Sequence, residues 1–356
     1  MSRNADISLV ARHPSVRVVV ASSHGVFTIS SIENAQRFVD DMSVKIRSGT
    51  RIQDLIIRLS GLPVFQDAHI LPIYTSLQLV PHLTDLTLLL PATTPPDLLL
   101  DVNFGGLQFF KSNLPHAVLA AFLARHQSVS VLVLGPCGPT RRCPLLEVDL
   151  AHVTDLECDA ECVRSLAHSD LFRLTIGKST GGPRIGVVFR TSPMCASGLY
   201  SLTIDFFPDD VDVLDNLSLF APFLRKLKLL EQRGASVRRV QSGRRPFNDA
   251  LTWARALRKL RFLEELSLQT SAGLVRQPGN YDLERSLVLG WVYGVRTRAL
   301  RRPPASAKAH PSLYHVRIWY GARGNEQALS KWFKDGEDWR RLGEPIVGDD
   351  LDDVDF

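Results

Sequence analysis

What the 356-residue chain has little of narrows the reading first. Cysteine occurs five times, an odd number thinly spread, which excludes a disulfide-stapled scaffold and suits a reducing compartment, cytoplasm or nucleus. Long apolar runs are scarce. The most apolar stretch, Leu71 to Leu90, is interrupted by Pro72, Pro81, His82 and Asp85, so no membrane span is expected. The opening Met1-Ser2-Arg3-Asn4-Ala5-Asp6 is polar and carries an acid, unlike the basic-then-apolar start of a signal peptide. Nucleophile elbow, metalloprotease helix and dinucleotide fingerprint are all missing, so the chain is not expected to be an enzyme and no residue is assigned a catalytic role. With 45% hydrophobic and 22% charged residues the chain is not broadly disordered and has ample material for a core.

Charge is unevenly placed. The formal net charge is +5, yet Leu224 to Arg302 holds 18 Lys/Arg against 6 Asp/Glu, and the last thirteen residues hold six acids. Such a split fits an acidic partner, and it equally fits a solvated basic face near an acidic tail.

What is present is a repeat. An aliphatic residue, two variable ones, Leu, one variable and another apolar recur as Ile52-Leu55-Ile57, Leu83-Leu86-Leu88, Phe104-Leu107-Phe109, Val129-Leu132-Leu134 and Val153-Leu156-Cys158. The series continues as Leu171-Leu174-Ile176, Leu199-Leu202-Ile204, Leu224-Leu227-Leu229, Leu263-Leu266-Leu268 and Leu313-Val316-Ile318. Most intervals up to Leu227 fall within the roughly 20–29 residues of leucine-rich repeats.

Helical stretches lie between these strings. Ala35, Phe38, Val39, Met42 and Ile46 share one face, with Ser30 and Glu33 as a capping box. Asn113 is placed to cap Leu114 to Arg125, Asp159 precedes Val163 and Leu166, and Asp210 precedes Val211, Leu214 and Leu217. No such unit can bury its apolar face alone, whereas stacked units can. The expected fold is therefore α/β: an irregular leucine-rich-repeat solenoid, a horseshoe with parallel strands on the concave face and helices outside. Its parts are an N-terminal cap with an amphipathic helix (1–50), repeats (51–320) and a C-terminal cap with an acidic tail (321–356). Basic insertions are expected near 233–246 and 296–311.

Three segments resemble fungal F-box/leucine-rich-repeat-like proteins: Ser128 to Pro144 (SVSVLVLGPCGPTRRCP), Val153 to Leu166 (VTDLECDAECVRSL) and Leu199 to Leu214 (LYSLTIDFFPDDVDVL). The resemblance covers about residues 50–320 and is one of pattern. It implies target recognition for a cullin–RING ubiquitin ligase, with a Skp-type adaptor as partner, although no F-box motif is recognisable before the repeats.

Candidate chemistry is sparse. Gly177-Lys178-Ser179-Thr180 lacks the first glycine of a phosphate-binding loop and reads as a strand-end turn. Cys137, Cys143, Cys158 and Cys162 stand at intervals of five, fourteen and three residues, with His152 and His168 nearby. No standard zinc spacing is met, so neither metal nor cofactor is expected. Cys137 reads as the turn residue of its repeat and Cys158 as an inward strand position. Asp205, Asp209, Asp210, Asp212 and Asp215 lack the glycine and terminal Glu of a calcium loop and read as caps on a solvated face.

Strand alternation then assigns the partner-binding face. If the repeat leucines point inward, the outward set is Asp155, Glu157, Arg173, Thr175, Ser201, Thr203, Asp205, Lys226, Lys228, Glu265, Ser267, Gln269, His315, Arg317 and Trp319. The set suits a polar protein ligand. The alternative is nucleic-acid binding through the basic insertions, whose few aromatics offer little for base stacking.

Overall fold

The computed structural model describes residues 25–44, 52–59, 66–91, 93–138, 142–177, 185–192, 196–207, 210, 212–232, 245–270, 281–294, 308–322, 325–336 and 338–346. The chain divides into two compact units, 1–166 and 167–356.

In the first unit strands alternate with helical elements. They run β1 (Gly25–Ile29), α1 (Ile32–Val44), β2 (Ile52–Arg58), α2 (Asp67–Gln78), β3 (Asp85–Leu89), β4 (Phe109–Ser112), α3 (His116–Arg125), β5 (Val131–Leu134), β6 (Asp155–Asp159) and α4 (Val163–Leu166). Short 3-10 turns, Pro96–Leu99 and Pro144–Glu147, stand in for helices after β3 and β5, each opened by a proline whose missing N–H costs nothing there. β1 to β6 pair in parallel, in chain order.

The register explains the repeat string. Leu55, Leu86, Phe110, Leu132 and Leu156 stand side by side on successive strands, all buried. Each fully buried side chain of this kind contributes about 1.5–3 kcal/mol. Two details correct the sequence reading. The strand of the third string, β4, is centred on Phe110, not Leu107. Phe104 is drawn away from the sheet by the rings of Phe122 and His126, and its N–H donates to His126 Nε2 at 2.9 Å. A strand also precedes the first string, with Phe27 opposite Leu55, where aromatic substitution disguises the aliphatic pattern.

The helix caps shift as well. Ser31, one residue after the expected cap, accepts from the Asn34 N–H at 3.2 Å. Asn113 does not cap α3. Its amide instead bridges to Leu90, accepting from the Leu90 N–H (2.8 Å) and donating to the Leu90 carbonyl (2.9 Å). Asp210 turns back to accept from the Phe207 N–H at 3.0 Å rather than capping the helix that follows.

The second unit runs β7 (Arg173–Gly177), α5 (Ile185–Thr191), β8 (Ser201–Phe206), α6 (Val213–Phe220), β9 (Lys226–Glu231), α7 (Ala250–Leu257), β10 (Glu265–Thr270), α8 (Tyr281–Tyr293) and β11 (His315–Ala322). β7 to β11 are parallel, and Leu174, Leu202, Leu227, Leu266 and Val316 form its buried row. Two antiparallel strands, β12 (Asn325–Asp335) and β13 (Asp338–Ile346), then extend the sheet. Trp332 and Trp339, on these strands, are buried. Parallel strands joined by helical crossovers, with one leucine position per strand, make this an α/β leucine-rich-repeat fold.

Candidate functional site

In the second unit the outward residues form continuous rungs. One runs Arg173–Ser201–Lys226–Glu265–His315, the next Thr175–Thr203–Lys228–Ser267–Arg317–Lys331. Asp205, Gln269 and Trp319 belong to a third, in which β9 contributes Leu230.

The rungs are not equally open. Glu265, Gln269, Ser201 and Trp319 are buried and Ser267 is 0% exposed. Lys228 Nζ lies 4.4 Å from the centre of the Trp319 ring. Glu265 takes an ion pair from Lys226 at 3.0 Å, with Arg317 at 3.8 Å and His315 at 4.0 Å. The accessible remainder is Arg173, Thr175, Thr203, Asp205, Lys226, Lys228, His315 and Arg317, of which Arg173 is the most open. Burial first, then the neighbouring Arg317, holds the His315 imidazole below its ordinary value, while Glu265 acts against them.

An aromatic row borders this face and was not anticipated. Phe172, Tyr200 and Tyr314 each stand immediately before a strand, with the Arg225–Glu264 ion pair (2.8 Å) at the same offset on β9 and β10. Phe172 stacks on Tyr200 at 4.8 Å, and Phe223 meets Phe262 at 5.4 Å. Phe172, Phe223, Phe262 and Tyr314 are exposed. The signal was in the repeat register: an aromatic one residue after, or one before, the first leucine of the string.

The first unit carries Asp155 and Glu157 on rungs of a different character. Asp155 lines up with Val131, Phe109, Asp85 and Asp54, and Glu157 with Val133, Lys111, Thr87 and Ile56. That face is acidic and partly apolar.

The first unit also brings together four side chains that sequence spacing kept apart: His116, Cys137, Cys143 and Cys162. Their donor atoms all lie within 4.8 Å of one another, and all four residues are buried. His116 opens α3, Cys137 follows β5, Cys143 precedes the Pro144–Glu147 turn and Cys162 precedes α4. His116 Nδ1 lies 3.2 Å from the Cys143 sulfur and 3.6 Å from that of Cys162. Its Nε2 lies 3.1 Å from the Gly135 carbonyl, which can only accept, so Nε2 carries the proton and Nδ1 presents its lone pair to the sulfurs.

Two glycines shape the loop. A Cβ on Gly135 would stand 2.7 Å from Asn113 Cα, and Gly138 has φ +91°, a conformation that suits glycine. The Cys143 thiol is held well below its ordinary pKa, chiefly by the Cys162 hydrogen bond. Cys162 is pushed up by the same bond and then by burial, and Cys158 is pushed up by burial. Cys158 fills an inward strand position outside the cluster. His152 is half-buried and held below its ordinary pKa by desolvation.

Several expected features lie outside the described residues: Lys178 to Thr180, Asp209, the fifth cysteine Cys195, the acidic end from 347, and most of the basic stretches 233–246 and 296–311. Among the described residues no helix is long and apolar enough to cross a membrane.

No protein-family model matches the chain, and neither does any curated protein. Among solved structures it is similar to the leucine-rich repeat-containing protein LegL7 from Legionella pneumophila. The TM-score is 0.39 and the identity 14%, over 70% of this chain and 95% of that one.

Proposed function

We propose that the chain is a protein-interaction scaffold whose second unit binds an acidic polypeptide segment along its strand face. The observation that carries this is the pair of basic rungs, Arg173, Lys226, Lys228, Arg317 and Lys331, bordered by the exposed aromatics Phe172 and Tyr314. Arginine and aromatic side chains are the usual anchors of protein interfaces, and charge complementarity supplies orientation and on-rate. Strand faces of stacked repeats are extended binding surfaces.

The finer reading is a target-recognition subunit of a cullin–RING ubiquitin ligase, supported by the pattern resemblance to F-box/leucine-rich-repeat-like proteins. Both are tested by affinity purification of the tagged chain beside the variant Arg173→Glu/Lys228→Glu, with mass spectrometry of what is retained. Partners enriched on the parent chain and lost from a folded variant are expected. Retention of every partner by the variant would move binding off this face, and recovery of a Skp-type adaptor with a cullin decides the finer reading.

A further inference from the structure

We propose that His116, Cys137, Cys143 and Cys162 bind one zinc ion in a closed Cys3His site that fastens the loops of the first unit. The site is separate from the strand faces that carry the proposed interaction function.

Donor type comes first. Three sulfurs and one imidazole nitrogen form one of the standard structural zinc sets, and thiolate-rich tetrahedral sites select zinc over hard cations. Geometry agrees. Sulfurs bound at about 2.3 Å from a tetrahedral zinc stand roughly 3.8 Å apart, and a sulfur and an imidazole nitrogen slightly less. The donors here lie within 4.8 Å of one another, with His116 Nδ1 at 3.2 and 3.6 Å from two sulfurs, so closing on an ion needs shifts of only a few tenths of an ångström to about an ångström. Orientation agrees too. A zinc-bound imidazole typically donates its other N–H to a carbonyl or carboxylate, which fixes the ring, and Gly135 provides that carbonyl at 3.1 Å.

Burial decides the type of site. His116 is 0% exposed and the three cysteines 1–8%, so all four positions of a tetrahedral ion are taken by protein and none faces solvent. Such a site holds structure and does not activate water. The ion would tie the start of α3, the loop after β5 and the approach to α4. A disulfide is the competing chemistry, and it leaves the cluster with one unused thiol and an unliganded histidine.

The test uses the full chain, purified without chelator from zinc-supplemented cells. Metal analysis is expected to give one zinc per chain. After replacement with Co2+ the protein is expected to show the visible bands of a tetrahedral cobalt–thiolate centre. His116→Ala and Cys143→Ser are each expected to drop zinc at least tenfold, while Cys158→Ala, which changes a buried cysteine outside the cluster, retains it. Because site variants could fail to fold, the parent chain decides independently. A natively folded parent with less than about a tenth of a zinc per chain, or with two of these thiols blocked as a disulfide, overturns the proposal. Zinc retained in full by both site variants overturns the ligand assignment.

Discussion

Asn113 closes both hydrogen bonds of its amide on a single residue, Leu90, joining the end of one repeat to the start of the next crossover. Leu90 is fully buried, so its main-chain N–H and C=O have no water to fall back on. Asn113→Ala is expected to destabilise the first unit by about 2–4 kcal/mol, one to two buried polar groups left unpaired. Asn113→Asp keeps the acceptor but sets a carboxylate against the Leu90 carbonyl, and is expected to cost at least as much. Urea unfolding followed by circular dichroism checks both. An Asp variant as stable as the parent would mean that the bond to the carbonyl contributes nothing.

Two buried histidines are expected to make the chain acid-labile. His126 donates from Nδ1 to the Phe122 carbonyl and accepts the Phe104 N–H, and His310 donates from Nε2 to the Leu257 carbonyl and accepts from the Leu313 N–H. Each ring is thereby fixed in a neutral tautomer, and burial holds each below its ordinary value of 6.5. With the folded pKa depressed, the unfolded chain takes up protons first. Stability is full above about pH 6.5 and is lost as the pH falls towards the folded values. Unfolding midpoints at pH 7.5 and 5.5 should therefore differ, and by less in His310→Gln than in the parent. An unchanged difference would place the acid lability elsewhere.

The repeat was legible because a buried strand face needs one large apolar side chain at a fixed offset on every strand, as Leu55, Leu86, Leu132 and Leu156 show. Phe27 and Phe110 were harder to read, since aromatic residues fill the same inward space without matching the aliphatic string. The cysteine cluster was legible only in part: Cys137, Cys143 and Cys162 stood out as candidate ligands, but their spacing spoke against a metal site and His116 gave no signal. The cluster's ligands come from three successive crossovers, so their sequence spacing reflects repeat length and not the short chelate loops by which zinc sites are usually recognised. His116, its only nitrogen ligand, is in contact solely because repeats stack. The outward strand positions were readable from alternation, but not that Ser267 or Trp319 would be buried.

On the basic face, Glu265 is expected to act as an internal counter-ion. Its carboxylate faces Lys226, Arg317 and His315, with Lys331 on the rung beside it. Glu265→Gln removes the charge that faces Lys226 and Arg317, at a cost of about 0.2–1 kcal/mol at low ionic strength that added salt should reduce. His315 provides a direct readout. Burial and Arg317 already lower its pKa, and Glu265 is the group opposing them. Histidine resonances in the variant should titrate at a lower pH than in the parent, and an unmoved midpoint would show that the two do not interact in solution.

A buried carboxylate should be the main polar attachment of the antiparallel strands to α8. Glu284 accepts from the hydroxyls of Tyr320 and Ser330 and from Trp332 Nε1, and is 3% exposed. Arg341 joins the group from β13, donating from Nε to the Ser330 hydroxyl at 3.2 Å while its guanidinium lies 3.5 Å from the centre of the Tyr281 ring. Burial and the adjacent carboxylate push the Tyr320 phenol well above its usual pKa, so it stays protonated and donating. Removing one donor leaves the carboxylate two others, and Tyr320→Phe is expected to cost about 1–3 kcal/mol. Removing the acceptor strands all three donors, and Glu284→Ala is expected to cost about 3–5 kcal/mol with a shift of tryptophan fluorescence from Trp332. Because both changes act on one network, the double variant should cost less than the two singles together, by about 0.5–3 kcal/mol. Additive costs in thermal or urea unfolding would show that Tyr320 and Glu284 stabilise the unit independently.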